Sequence, residues 1–459
     1  MSGRSIKTTG RRRKSAEAAD SPQLPLDLFA EPPPVTSTKP TRPHTAATRS
    51  RHGGIAAELA AFKEFGEATK VLQTAFVVPG GGTCETPTYV NEYWTARQRQ
   101  ACSLHEVSYR ACFKPQLPRF FIERLTEPGD LVYDPFMGRG TTPLETALMD
   151  RVPVGNDINP LSIVMTRPRL TPPSVAEIEA RLKIIPLEDP ADMPEDLLVF
   201  YHPETLRGIS SLKHYIVRKR KAKTLDALDE WIELVALNRL TGHSNGFFSV
   251  YTLPPNQAVS VVSQRKINEK RKQTPPPRDV CKIILKKSRQ LLGDVSPEVR
   301  EILGRNAGKA QLHTGPAEST PGIRSNSVAL VVTSPPFLNV VQYDVDNWLR
   351  CWFLGFESRN VKLTMPRKVE DWQAAMTPVF KELHRVLKPG GHVAFEVGEV
   401  QKGATRLEEA VLPCGLAAGL EPLLVMVNQQ EFTKTANCWG IDNMDKGTNT
   451  NRIVLFRKS

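Results

Sequence analysis

The stretch Gly129-Asp130-Leu131-Val132-Tyr133-Asp134-Pro135-Phe136-Met137-Gly138-Arg139-Gly140-Thr141-Thr142 decides the fold. A short apolar strand ends at Asp134, a glycine-spaced turn follows, and Pro143-Leu144-Glu145-Thr146-Ala147-Leu148 reads as a helix start. Strand, glycine turn and helix in that order form a βα unit of a Rossmann-like α/β sheet. Gly138 and Gly140 let backbone approach a ligand with no Cβ in the way. The free N–H groups of the helix start suit a carboxylate or phosphate, and Asp134 can take an ammonium. Val152-Pro153-Val154-Gly155-Asn156-Asp157 then reads as a second strand ending in an acid. In Rossmann-like sheets an acid there meets the ribose hydroxyls.

A second stretch lies about 190 residues on, at Val328-Ala329-Leu330-Val331-Val332-Thr333-Ser334-Pro335-Pro336-Phe337. It opens as a buried strand and stops at two prolines, which lack N–H groups and fix their own φ, so the chain must leave the sheet rigidly. A rigid turn just past a strand's carboxyl end is where open α/β sheets put their chemistry. Ser334 offers a hydroxyl acceptor, Pro335 a carbonyl and Phe337 a flat face. Together they make a socket for a planar ring bearing an exocyclic amino group.

These residues resemble the DNA amino-methyltransferases, a family that uses S-adenosylmethionine. Asp134 to Thr142 is similar to their cofactor loop and Thr333 to Phe337 to their catalytic loop. Ser108 to Pro118 with Phe120-Phe121-Ile122 resembles the segment that precedes the cofactor loop, and Arg385 to Phe395 the helix–turn–strand of class I methyltransferases. The resemblance covers roughly residues 85–160 and 310–457. It implies Asp134, Phe136, Gly138, Gly140, Thr141, Thr142, Asp157 and Lys114 at the cofactor, and Ser334, Pro335, Pro336 and Phe337 at the reacting base. It implies an acid near the cofactor's adenine, for which Glu318 is the candidate, and no metal. A serine in the catalytic loop resembles cytosine-N4 members more than adenine-N6 members; both remain open, as does an inactive DNA-binding protein of the same fold.

The rest of the 459 residues is organised around these two loops. The expected fold is α/β: a class I methyltransferase sheet with an inserted, mainly helical target-recognition region and a disordered tail. The expected boundaries are a basic tail over 1–53, a cofactor part over 54–160, the insertion over 161–309 and a catalytic part over 310–459. Periodicity predicts helices over 55–75, 177–185, 224–240 and 280–292, and Glu431 through Phe456 looks like the sheet's closing hairpin. Seven scattered cysteines without paired metal spacing, no signal-peptide pattern and no long apolar run predict a cytoplasmic, nucleoid-associated protein.

The charge is uneven. Residues 1–53 are net +6 and residues 203–292 net +11, against +12 overall, which leaves −5 elsewhere. Basic segments outside an acidic core suit the phosphate backbone of double-stranded DNA. Within the insertion, Arg265, Lys266, Arg271 and Lys272 are the expected DNA contacts, on a basic loop. His243 has no paired ligand in the sequence and reads as a polar loop residue. In the tail, Gln23-Leu24-Pro25-Leu26-Asp27-Leu28-Phe29 is an apolar island among polar residues. It resembles the short peptide by which bacterial replication and repair proteins dock on the sliding clamp.

Overall fold

Alternating side-chain direction writes the sheet directly. Along Val328–Thr333 every residue is buried. Val331 points into one apolar layer with Val393, Phe395 and Phe380, while Leu330 and Val332 point into another with Phe121, Met426 and Leu455. A strand covered on both faces must be central. The computed structural model describes residues 54–65, 67–78, 80–94, 101–110, 112–188, 190, 192–252, 258–336, 343–358, 361, 366, 368–400, 405–429 and 450–459. These belong to one compact unit, Gly53–Ser459.

In chain order the elements are α1 (Ile55–Ala61), β1 (Lys70–Val77), β2 (Thr83–Asn91), α2 (Gln116–Leu125), β3 (Leu131–Asp134), α3 (Thr141–Leu148) and β4 (Val152–Asp157). Seven helices follow: α4 (Leu161–Leu170), α5 (Val175–Ile184), α6 (Pro203–Lys221), α7 (Ala227–Leu237), α8 (Val261–Arg271), α9 (Val280–Leu291) and α10 (Pro297–Ala307). The chain then makes β5 (Gln311–Thr314), β6 (Val328–Thr333), α11 (Tyr343–Leu354), α12 (Val369–Val386) and β7 (Leu387–Val397). It ends with a small ribbon, β8 (Glu399–Val400) and β9 (Thr405–Arg406), then α13 (Leu407–Ala417), β10 (Glu421–Gln429) and β11 (Thr450–Arg457).

The nine-stranded sheet runs β1-β2-β10-β11-β7-β6-β3-β4-β5. Strands β5, β4, β3, β6 and β7 are mutually parallel. Counted from β3 they stand 3-2-1-4-5, the doubly wound order, with the switch point between β3 and β6. This is the expected methyltransferase sheet, and it sets the Asp134 and Ser334 loops side by side. Strand β11 enters antiparallel between β7 and β10.

Three sequence expectations need correction. The helix expected over 55–75 ends at Ala61, and residues 70–77 are β1, paired with β2. The hairpin partner overrides the local helical periodicity, and Leu72, inside the expected helix, is 56% exposed on that edge strand. The closing hairpin is real, but its first strand is β10, which precedes Glu431; residues 430–449 lie outside the described ones. The basic segment Gln264–Lys272 is not a loop: it is helix α8, with Ser260 capping its N-terminus by accepting from Ser263 N. The tail with Gln23–Phe29, and Phe337, also lie outside the described residues.

The insertion is helical as expected. It is the crossover between β4 and β5, and it is not a separate body. Leu206, Ile209, Trp231 and Ile284 share one apolar core with Leu144 of α3, Leu161 of α4 and Phe353 of α11. No described helix is long and apolar enough to cross a membrane.

Candidate active site

At the carboxyl ends of β3, β4 and β6 lies a cavity of about 360 Å³. The cofactor turn contributes Phe136 and Gly138, the second strand's end Asp157, Ile158 and Asn159, and the turn after β5 Pro316 and Glu318. Ser334 and Pro336 form part of its wall, with Trp372 and Met376 of α12 opposite and Tyr109 above. Two loops nearly 200 residues apart in the chain thus meet in one cavity.

The glycines of the turn do different work. Gly138, at φ +50°, is walled by the Tyr109 ring, 3.6 Å from where its Cβ would stand, and its N–H donates to Asp157 Oδ2 at 2.9 Å. It forms part of the cavity wall. Gly140, at φ +75°, has no such room, because a Cβ there would lie 2.1 Å from Thr166 Oγ1. The turn packs closely on α4 at this point, with no space for a side chain. Behind the turn the fully buried Arg169 donates to the carbonyls of Arg139, Met165 and Leu104. Burial holds its guanidinium down at about 9.

Asp134 is 1% exposed. Its Oδ1 accepts from Phe136 N at 3.1 Å and from the Thr333 hydroxyl at 2.6 Å. Thr142 stands beside it, but that hydroxyl donates to Val332 O at 3.1 Å, and no hydrogen bond among the described residues reaches Oδ2. Burial pushes the carboxyl up to about 7. A buried carboxyl with one unused oxygen beside a binding cavity fits a ligand ammonium. Asp157 accepts backbone N–H groups from Gly138 and Asn159, at 2.9 and 2.8 Å, and each of its oxygens keeps a lone pair for a hydroxyl. Burial raises its pKa as well.

The remaining expected residues divide. Thr141 and Thr142 are buried in the first turn of α3 and do not wall the cavity. Neither do Pro335 and Lys114, the latter half-buried just before α2 with its ammonium lowered by burial. Arg265, Lys266, Arg271 and Lys272 are all exposed on α8 or at its C-cap. Arg271 lies over the Tyr251 ring, 3.8 Å from its centroid. Of the residues of α8 only Gln264 is buried, so the helix presents a polar, basic surface almost all round.

Sequence reasoning missed the supports. Trp372 Nε1 donates to Pro336 O at 3.0 Å and fixes the double-proline bend from α12. The Tyr109 segment is held from two sides: Asn238, the C-cap of α7, accepts from Ser108 N at 2.8 Å, and Arg350 of α11 donates to Ser108 O at 2.8 Å. Arg110 pairs with Asp346 of α11 at 2.9 Å. No local motif marks such residues; only the chain's return to the cavity reveals them. No cluster of metal-ligating side chains occurs among the described residues.

Comparison with known proteins agrees with this geometry. Residues 41–165 match the family model described as DNA methylase. The Type II methyltransferase M.BsoBI of Geobacillus stearothermophilus is 23% identical over 348 residues, 68% of this chain and 63% of that protein. The Type II methyltransferase M.MjaII of Methanocaldococcus jannaschii is 37% identical over 62 residues, 14% of this chain and 12% of that one. The chain thus spans less than two thirds of the length of either relative. Among solved structures, TrmN from Thermus thermophilus aligns over 78% of this chain and 52% of its own at 12% identity, with a TM-score of 0.30. A likeness at that level adds nothing to what the strand order gives.

Proposed function

With the cofactor-loop segment, residues 41–165, matching the DNA methylase family, we propose that this chain is an S-adenosylmethionine-dependent DNA methyltransferase that modifies an exocyclic amino group, cytosine N4 by preference. The observation that carries the reading is the single cavity walled by Gly138 and Asp157 on one side and by Ser334 and Pro336 on the other. The cofactor, when bound, supplies an electrophilic methyl on a sulfonium. The chain's part is to hold it: Asp134 Oδ2 for the ammonium, Gly138 backbone for the methionine end, Asp157 for the ribose hydroxyls and Glu318 at the adenine end. Tyr109 closes the wall over Gly138.

An exocyclic amine on a nucleobase is a poor nucleophile because its lone pair is delocalised into the ring. Ser334 Oγ and the Pro335 carbonyl accept its hydrogens and favour a pyramidal nitrogen aimed at the methyl. Trp372 holds the Pro336 carbonyl and so keeps the bend from relaxing. Most of the rate then comes from positioning. The target cannot be reached inside the duplex, so the base is flipped out, with Phe337 as its stacking face. Helix α8, with Arg265, Lys266, Arg271 and Lys272, takes the phosphate backbone. Nucleoside mass spectrometry of DNA incubated with the protein and S-adenosylmethionine tests the reading; N6-methyladenine would keep the enzyme class and replace the target.

A further inference from the structure

One buried carboxyl, next to the cavity residue Ser334, has no part in this scheme. Glu396, near the carboxyl end of β7, is 5% exposed. The pairing Thr333↔Phe395 between β6 and β7 brings the next residues, Ser334 and Glu396, together where the sheet ends. That register sets the Ser334 side chain beside the Glu396 carboxyl, and Asn451 Nδ2, from β11, donates to Glu396 Oε1 at 3.0 Å. The groups that face it among the described residues are thus a hydroxyl and an amide, both neutral. Burying a carboxylate on neutral partners is costly, and a fold that retains one beside a reactive cavity marks a functional group.

We propose that Glu396 is the positioning residue and final proton acceptor of the methyl transfer, a role that rests on the amine-methylation reading. In this role Ser334 gives its hydrogen to Glu396, presents only lone pairs to the cavity and so accepts from the amine. In the transfer the amine's lone pair forms the N–C bond while the C–S bond breaks and its electron pair stays on sulfur. The nitrogen, now cationic, releases a proton to Ser334 Oγ as the serine's own proton passes to Glu396. The products are a methylamine, a neutral thioether and a protonated Glu396, which returns its proton to water. Burial raises the Glu396 carboxyl, so it accepts a proton near neutrality more readily than an exposed glutamate. The charged neighbours on packed elements are Asp134 on β3, reached through Thr333, and the Arg452–Glu408 pair between β11 and α13.

The test is single-turnover methylation of unmethylated genomic DNA by the full chain across pH, with S-adenosylmethionine and DNA saturating so that Asp134 titration does not enter. Wild type should lose rate on the acid side. Glu396→Gln should lower the plateau about 100-fold or more, the usual scale for a lost proton acceptor, and should abolish that acid limb. Its affinities for cofactor and DNA should stay within about threefold, and its melting temperature should be unchanged. Ser334→Ala, which leaves Glu396 in place, should also lose the acid limb, and it decides the matter if Glu396→Gln does not fold. A Glu396→Gln rate within threefold of wild type, or a wild-type acid limb in Ser334→Ala, overturns the relay. A wild type that transfers no methyl to DNA overturns the underlying reading instead.

Discussion

The hydroxyl of Thr333 donates to Asp134 Oδ1 at 2.6 Å, tying the strand that ends in the serine–proline loop to the strand that ends in the cofactor turn. The bond holds the two halves of the site in register at the switch point. It also leaves Asp134 with one committed oxygen and one for a ligand. Thr333→Val keeps the shape and removes the donor. We expect S-adenosylmethionine affinity to fall several-fold in this variant at neutral pH with little change in overall structure, as read by calorimetry and circular dichroism.

The pH dependence of cofactor binding follows from the same carboxyl. Burial raises Asp134 from 3.8 to about 7. The folded, cofactor-free protein therefore holds more protons than the unfolded chain between those values, and this group's contribution to stability declines as pH rises through that window. A bound ammonium favours the ionised form and reverses the preference. Affinity for S-adenosylmethionine should thus weaken about tenfold per pH unit below 7 until the pKa of the complex is reached. Titration calorimetry in two buffers of different ionisation enthalpy should detect proton release on binding at pH 6; a Kd constant from pH 5.5 to 8 would remove Asp134 from the site.

The two glycines of the turn should separate cleanly. Gly138→Val projects into the cavity beside Tyr109 and should cost cofactor affinity with a modest loss of stability. Gly140→Ala already collides with Thr166. It should destabilise the fold by roughly 1–3 kcal/mol, the usual scale of overpacking, visible as a lowered melting temperature. Equal melting temperatures for Gly140→Ala and wild type would contradict the packing role.

Much of this site was legible in the sequence because its two loops are covalently local. A strand ending in Asp134 before glycines, and a strand ending in Ser334 before two prolines, declare themselves by residue type and spacing. The acid at Asp157 and the order of strands followed from the same logic. What was hidden is non-local. Trp372 and Met376 reach the cavity, and Arg350 holds the Tyr109 segment, from helices whose own sequence carries no sign of it. The packing constraint on Gly140 was hidden because it comes from Thr166, 26 residues away. Strands β1 and β2 were missed because the pairing that makes them strands outweighs a short helical period in residues 70–75.

Helix α8 should be a phosphate contact. Its apolar burial is too small to explain its basic residues as packing. Replacing Arg265, Lys266, Arg271 and Lys272 by glutamine should weaken DNA binding, and each lost phosphate contact should lower the log–log salt slope by about 0.9. Cofactor affinity should not move. An unchanged salt slope would show that these charges face only solvent.

The tail makes a separate prediction. A peptide of residues 18–34, which holds the island Gln23–Phe29, should bind a bacterial sliding clamp, and Leu28→Ala with Phe29→Ala should abolish it. Activity on short oligonucleotides should survive that double change in the full chain. No clamp binding at high micromolar peptide would end the proposal.

The central claim is transfer of a methyl group to an exocyclic amine of DNA. The direct measurement is mass spectrometry of nucleosides from duplex DNA incubated with the protein and isotopically labelled S-adenosylmethionine. The account predicts labelled N4-methylcytosine, formed far more slowly with Ser334→Ala. DNA that carries no label on any amino group, under conditions where the cofactor binds, would contradict it.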